Sequence, residues 1–73
     1  MQLSEAQKRV MKWLGKGWTA EPGNGASLKI NGERICNLDT MMALYRMGLA
    51  QKDDRGSWTA TASGKTFTEQ LGL

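Results

Sequence analysis

The stretch Cys36-Asn37-Leu38-Asp39-Thr40-Met41-Met42-Ala43-Leu44-Tyr45-Arg46-Met47-Gly48-Leu49 lies near the middle of the 73-residue chain and decides its fold. Asn37 has the side chain of a helix N-cap and Gly48 suits the left-handed residue that stops a helix, so the spacing predicts a helix over residues 38–47. Projected at about 100° per residue, Met41, Leu44 and Met47 fall on an arc that must face a core. Leu38, Met42 and Tyr45 widen the apolar surface beyond half the circumference and leave Asp39, Ala43 and Arg46 for the polar side. Two arrangements accommodate so broad a surface. Either neighbouring elements cover the helix on two sides, or it shows an apolar stripe to a partner.

Working outward toward the C-terminus, Leu49-Ala50-Gln51-Lys52 and Ser57-Trp58-Thr59-Ala60 read as strands joined by the polar turn Asp53-Asp54-Arg55-Gly56. Thr61 then caps a last helix in which Phe67 and Leu71 share a face, and Gly64 lets that helix approach Trp58 closely. Toward the N-terminus, Ala26-Ser27-Leu28-Lys29-Ile30 alternates apolar and polar residues, Asn31-Gly32 is a strong tight-turn signal, and Glu33-Arg34-Ile35-Cys36 returns. A hairpin over residues 26–36 is expected. The competing reading, a short helix over residues 27–34, would carry Asn-Gly at its centre at a cost of about 1 kcal/mol or more. Residues 19–25 hold the only proline and two glycines and read as a loop. No Gly-Lys-Ser/Thr follows Gly23-Asn24-Gly25, so the loop lacks the spacing that cradles phosphates.

Ser4-Glu5-Ala6-Gln7 reads as a capping box that opens a first helix. Leu3, Ala6, Val10, Trp13 and Leu14 lie on one arc of it, with Glu5, Lys8, Arg9, Lys12 and Lys16 on the other, and Gly15 and Gly17 end it. Trp18 follows directly. Its nearness to Trp13 suggests that both indoles close the core; a nucleobase-stacking platform is the sharper alternative.

The whole chain, residues 1–73, reads as one domain with a thin core, because a domain near this size buries only about 60% of the surface its unfolded chain exposes. Cys36 has no second cysteine to pair with and the chain has no histidine, so neither a disulfide nor a zinc site is expected. A small buried apolar role for Cys36 competes with that of a reactive thiol. The lone cysteine, the lack of a secretory pattern and the lack of any apolar run near the roughly 20 residues of a membrane span predict a cytoplasmic protein. The formal charge is +3, unevenly spread. Residues 1–17 carry Lys8, Arg9, Lys12 and Lys16 against Glu5 alone, whereas residues 53–73 carry Asp53, Asp54 and Glu69 against Arg55 and Lys65.

Thr40, Ala43-Leu44, Gly48-Leu49-Ala50 and the later Thr61-Ala62-Ser63-Gly64 carry a resemblance that covers residues 36–64. This segment resembles the recognition helix, wing and following helix of small bacterial and phage winged-helix domains. The likeness implies an α+β, winged-helix-like fold of three helices with a small antiparallel wing, the predicted hairpin standing where such domains have a second helix. It also implies contact with double-stranded DNA through exposed positions of the central helix and wing, here Asn37, Asp39, Met42, Arg46, Lys52 and Arg55.

Enzyme chemistry finds little foothold: there is no histidine to act as base, the carboxylates fall in predicted loops or exposed faces, and nothing in the spacing argues for lysine-assisted chemistry. No catalytic residue, cofactor or metal is expected. Two functions remain. In the first the chain is a DNA-binding regulator of phage or prophage type, held to phosphates by Lys8, Arg9, Lys12, Lys16, Arg46, Lys52 and Arg55, with Asn37 a further nucleic-acid contact. In the second the same scaffold docks on a protein, either its own copy as a homodimer or a host protein, through Leu38, Met42 and Tyr45. One arginine, an aspartate and several apolar residues on the central helix give the second reading its warrant.

Overall fold

The computed structural model describes residues 2–73. Among them the chain forms three helices and five strands in the order α1 (Glu5–Leu14), β1 (Ala20–Pro22), β2 (Ser27–Ile30), β3 (Glu33–Asn37), α2 (Leu38–Arg46), β4 (Ala50–Lys52), β5 (Trp58–Ala60) and α3 (Ala62–Leu71). The strands make one antiparallel sheet in the order β3-β2-β1-β5-β4. Both expected hairpins are present, and residues 27–34 are not helical. Asn31 turns the first hairpin at a φ of 53°, followed by Gly32 at 80°, the pair of left-handed residues that matches the twist of the strands.

Within residues 19–25, expected to form a loop, Ala20–Pro22 is instead the strand that joins the two hairpins, while residues 23–25 keep the expected turn. β1 pairs with β2 through Ala20–Ile30, Glu21–Lys29 and Pro22–Leu28, and with β5 only through Ala20–Trp58. Ala20 is fully buried, because a small side chain is what the crowded centre of the sheet accepts. Pro22 ends the strand past its single pairing with β5, where its missing N–H interrupts no ladder on that side. Composition hid this strand: proline and glycine sit at its end, and three residues are too few to show a period.

Alternation then sorts the sheet into two faces. Ala20, Leu28, Ile30, Cys36, Ala50, Trp58 and Ala60 point into the core, while Glu21, Lys29, Arg34, Gln51 and Thr59 occupy the other side. A bulge in β3 breaks the rule once. Leu28 pairs with Cys36 but Lys29 pairs with Arg34, so Ile35 is the extra residue, and it packs against the core beside Cys36.

The first helix opens with the expected capping box: the Gln7 amide donates to Ser4 Oγ at 3.1 Å and the Ser4 amide donates to Gln7 Oε1 at 2.8 Å. Its buried face is Val10, Met11 and Leu14, with Leu3 preceding it. Met11 was not on the predicted arc, and Ala6, which was, is exposed. Two helices stop in the same manner. The Gly48 amide donates to the Tyr45 carbonyl and the Leu49 amide to the Leu44 carbonyl, both at 3.0 Å, with Gly48 left-handed at φ 78°. Gly17 does likewise after α1, its amide reaching the Leu14 carbonyl at 3.0 Å and that of Trp18 the Trp13 carbonyl at 3.2 Å.

Thr61 fastens α3 to the end of α2. Its hydroxyl donates to the Gly48 carbonyl at 2.6 Å and accepts from the Gly64 amide at 2.9 Å, while its own amide donates to the Leu49 carbonyl at 3.1 Å. Gly64 therefore approaches the backbone of Leu49 rather than Trp58 as expected: a Cβ there would lie 2.1 Å from the Leu49 carbonyl oxygen and 3.1 Å from Met11 Cε. Along α3 the buried positions are Gly64 and Thr68, with Phe67 partly buried and Leu71 exposed, so the predicted Phe67–Leu71 face is not the packed one. Thr68 meets α1 at Gly15, where a Cβ would fall 2.5 Å from the threonine hydroxyl.

Alanine in a helix is ordinarily more stable than glycine by roughly 1 kcal/mol. At Gly64 the sign reverses, because the added methyl must displace a backbone carbonyl rather than a flexible side chain. Gly64→Ala is expected to lower Tm by about 10 °C or more, a net loss of about 2 kcal/mol in a domain this small, whereas Ser63→Ala at the exposed neighbour shifts it little. Thermal unfolding followed by circular dichroism checks this, and an unchanged Tm for Gly64→Ala would refute the close seating.

Candidate interaction surfaces

α2 packs on α1, β3 and β4, which cover one side of it. Met41 and Leu44 are fully buried and Met42 and Met47 partly so, but Leu38 stays 39% exposed and Tyr45 51% exposed. The broad apolar surface read from the sequence is therefore covered at its centre and open along one flank. Leu38, Met42 and Tyr45 stand at i, i+4 and i+7 on that flank. Tyr45 makes an edge-to-face contact with Trp58, ring centroids 6.0 Å apart, and Lys52 on the adjacent strand holds its ammonium 5.7 Å from the same indole. Pro22, Ala26, Leu38, Lys52 and Trp58 border a groove of about 180 Å³.

The register fixes where the basic residues go. Ala20 is level with Ile30 on one side and Trp58 on the other, and Pro22 with Leu28, so the Asn31-Gly32 turn projects from one end of the sheet and the β4–β5 turn from the opposite end. Lys12 and Lys16 gather around Trp13, their ammonium groups 5.8 and 5.4 Å from its ring centroid, and Trp13 lies beside Asn31 at the first end. Lys52 and Arg55 belong to the other. Lys8 pairs weakly with Glu5 at 3.7 Å, Arg9 is exposed on α1, and Arg46 is exposed in the last turn of α2. Asn37 occupies the N-cap position with extended backbone, yet its side chain caps nothing; its Oδ1 instead accepts from the Arg34 guanidinium. Of the residues expected to contact nucleic acid, Lys12 and Lys16 thus stand at one end and Lys52 and Arg55 at the other.

The acidic residues of the β4–β5 turn have structural work. Asp53 Oδ1 accepts from the amides of Arg55 at 2.8 Å and Ser57 at 2.9 Å, so this carboxylate folds the turn. Asp39 and Asp54 are exposed.

The expectation that Trp18 is a core residue fails. The indole is 42% exposed and touches Trp13 edge to face at a centroid separation of 6.2 Å. The backbone explains the pair: a helix stopped by a left-handed glycine brings the second residue past its C-cap onto the third before it, here Trp18 onto Trp13. That signal was present in the Trp13 to Gly17 spacing. Nothing in the sequence announced the bulge that turns Ile35 inward beside these rings.

Cys36 is buried, and burial pushes its thiol up from the ordinary range, while the Arg34 guanidinium pulls it the other way to a smaller extent. A thiol raised in the folded state keeps its proton where the unfolded chain would lose it. Folding stability is therefore whole below the ordinary thiol value of about 8.5 and declines as pH rises past it. A thiol-directed disulfide reagent at neutral pH should label native protein far more slowly than protein in denaturant. Equal rates would show an accessible thiolate.

Among the described residues no cluster of three metal-ligating side chains occurs and no helix is long and apolar enough to cross a membrane. No family model, no curated protein and no solved structure matches the chain.

Proposed function

We propose that the chain is a cytoplasmic protein-docking module on a winged-helix-like scaffold, and that α2 docks on a second copy of itself. What supports the scaffold reading is the placement of α2 beside the β4–β5 ribbon, with β1 bonded to β5 and the β2–β3 hairpin standing where a second helix would be. One observation carries the docking reading: the stripe Leu38, Met42 and Tyr45 is exposed at both ends and bordered on one flank by Asp39 and Arg46. Two such helices laid antiparallel about a two-fold axis set Leu38 against Tyr45 of the second copy, Met42 near the axis, and Asp39 against Arg46 of the second copy. The stripe is thus complementary to itself in shape class and in charge. Joining two copies also removes from water apolar area that the thin core leaves exposed, at about 25 cal/mol per Å².

The duplex-reading alternative draws on the basic side of α1. Against it stand Asp39 on the helix that would enter the groove and the division of the cations between two ends of the sheet.

Sedimentation of the wild-type chain is expected to show a dimer, and Met42→Glu to give a folded monomer. Asp39→Arg alone and Arg46→Asp alone should each weaken the dimer by placing like charges together, and the two combined should restore it. A monomeric wild type, or a combined variant no better than either single one, overturns the antiparallel pairing. Duplex binding measured at several salt concentrations separates the alternative, because four phosphate contacts would give a log-log slope near −4.

A further inference from the structure

At the end of the sheet remote from the β4–β5 turn, Trp13, Trp18, Ile30, Ile35, Glu33 and Arg34 enclose a cleft of about 130 Å³, with Asn31 on its rim. An apolar cavity of about 150 Å³ is enough to take a single benzene ring. A second cleft of about 250 Å³ lies against the same Trp18 indole, bordered by Thr19, Glu21, Pro22, Lys29, Asn31 and Gly32. Trp18 is therefore a wall shared by two clefts. The helix stop before it asks only for some apolar side chain at this position; Leu49 fills the corresponding place after α2 and is buried. An indole that is instead 42% exposed offers far more planar surface than the backbone motif needs.

Cations stand around these rings. Lys12 and Lys16 reach over Trp13, and Lys29 borders the second cleft; Glu33 and Glu21 are the acidic residues on the two rims. Arg34 lends its stem to the first cleft while its guanidinium is engaged with Asn37. Exposed aromatic surface flanked by flexible ammonium groups is the combination that binds a planar base together with its phosphate, the base by stacking and the phosphate by charge. We infer that the Trp13–Trp18 clefts form a site for a nucleobase and its attached phosphate, as presented by a single-stranded nucleic acid or by a free nucleotide, with the base on Trp18 and the phosphate at Lys12 and Lys16. A duplex does not satisfy it, because paired and stacked bases cannot offer a face to the indole. The site is separate from α2 and does not depend on how that helix is covered.

Fluorescence anisotropy with a labelled short oligothymidylate, the same strand annealed to its complement, and adenosine monophosphate as competitor tests the inference. The single strand is expected to bind. Trp18→Leu, which keeps an apolar contact for Trp13, should weaken binding by about 5- to 150-fold, the range for losing one stacked base. Replacing Lys12 and Lys16 together by glutamine should make the salt slope shallower by about 0.7, the value for one neutralised phosphate lost on a single strand. Displacement of the strand by the mononucleotide supports the site and identifies a free nucleotide as sufficient; strand binding without displacement supports it and identifies a polymer. Met42→Glu should leave strand binding unchanged. Absence of binding to both ligands, Trp18→Leu binding as tightly as wild type, or duplex binding equal to that of the strand would each overturn the inference.

Discussion

The seating of α3 on the carbonyl of Leu49 is the constraint on which the rest of the structure depends. Thr61 joins three backbone groups from two parts of the chain, the Gly48 and Leu49 carbonyls and the Gly64 amide, and the absent side chain at Gly64 lets the helix close over them. Deprived of its threonine, this partly buried network would leave the Gly64 amide at the helix start without its partner. It also sets the direction of α3, which then meets α1 at Gly15 and Thr68 and closes the core around Met11. One short tie thus determines how three helices share so little apolar volume.

Charge and apolar surface are separated in the same molecule. Lys12 and Lys16 are drawn to Trp13 at one end of the sheet, while the open flank of α2 carries Leu38, Met42 and Tyr45 with a single charge at each extremity. A surface meant for a duplex groove would gather basic side chains on the inserted helix and the adjoining ribbon. Here the ribbon's Lys52 lies over Trp58, and its Asp53 is committed to the turn. The division suits two separate contacts better than one broad electrostatic face.

Much of this architecture was legible in the sequence wherever local chemistry decides local structure. The capping box at Ser4, the Asn31-Gly32 turn, the Gly48 stop and the Thr61 cap all stand where their side chains predicted. What stayed hidden depends on distant partners. β1 is a strand because β2 and β5 flank it, not because Thr19-Ala20-Glu21-Pro22 favours extension, and Gly64 is small because of a carbonyl fifteen residues earlier in the chain. At the candidate surfaces, the apolar stripe of α2 was readable from spacing, whereas the exposure of Trp18 was not, since large aromatics in small domains usually lie inside. The bulge at Ile35 left no trace in composition.

The two hairpins of the sheet meet through a seam one residue pair wide, Ala20 against Trp58. Such a seam transmits little along the backbone, so the halves are held in line by side-chain packing, with α1 touching both β3 and β5 and the buried Trp58 indole level with Ala20. Trp58 is in that sense a rivet set at the one point where the two hairpins pair. The angle between the hairpins is thus left to the helices that span them, and a change of side-chain volume beneath Trp58 is opposed there by one strand pairing alone.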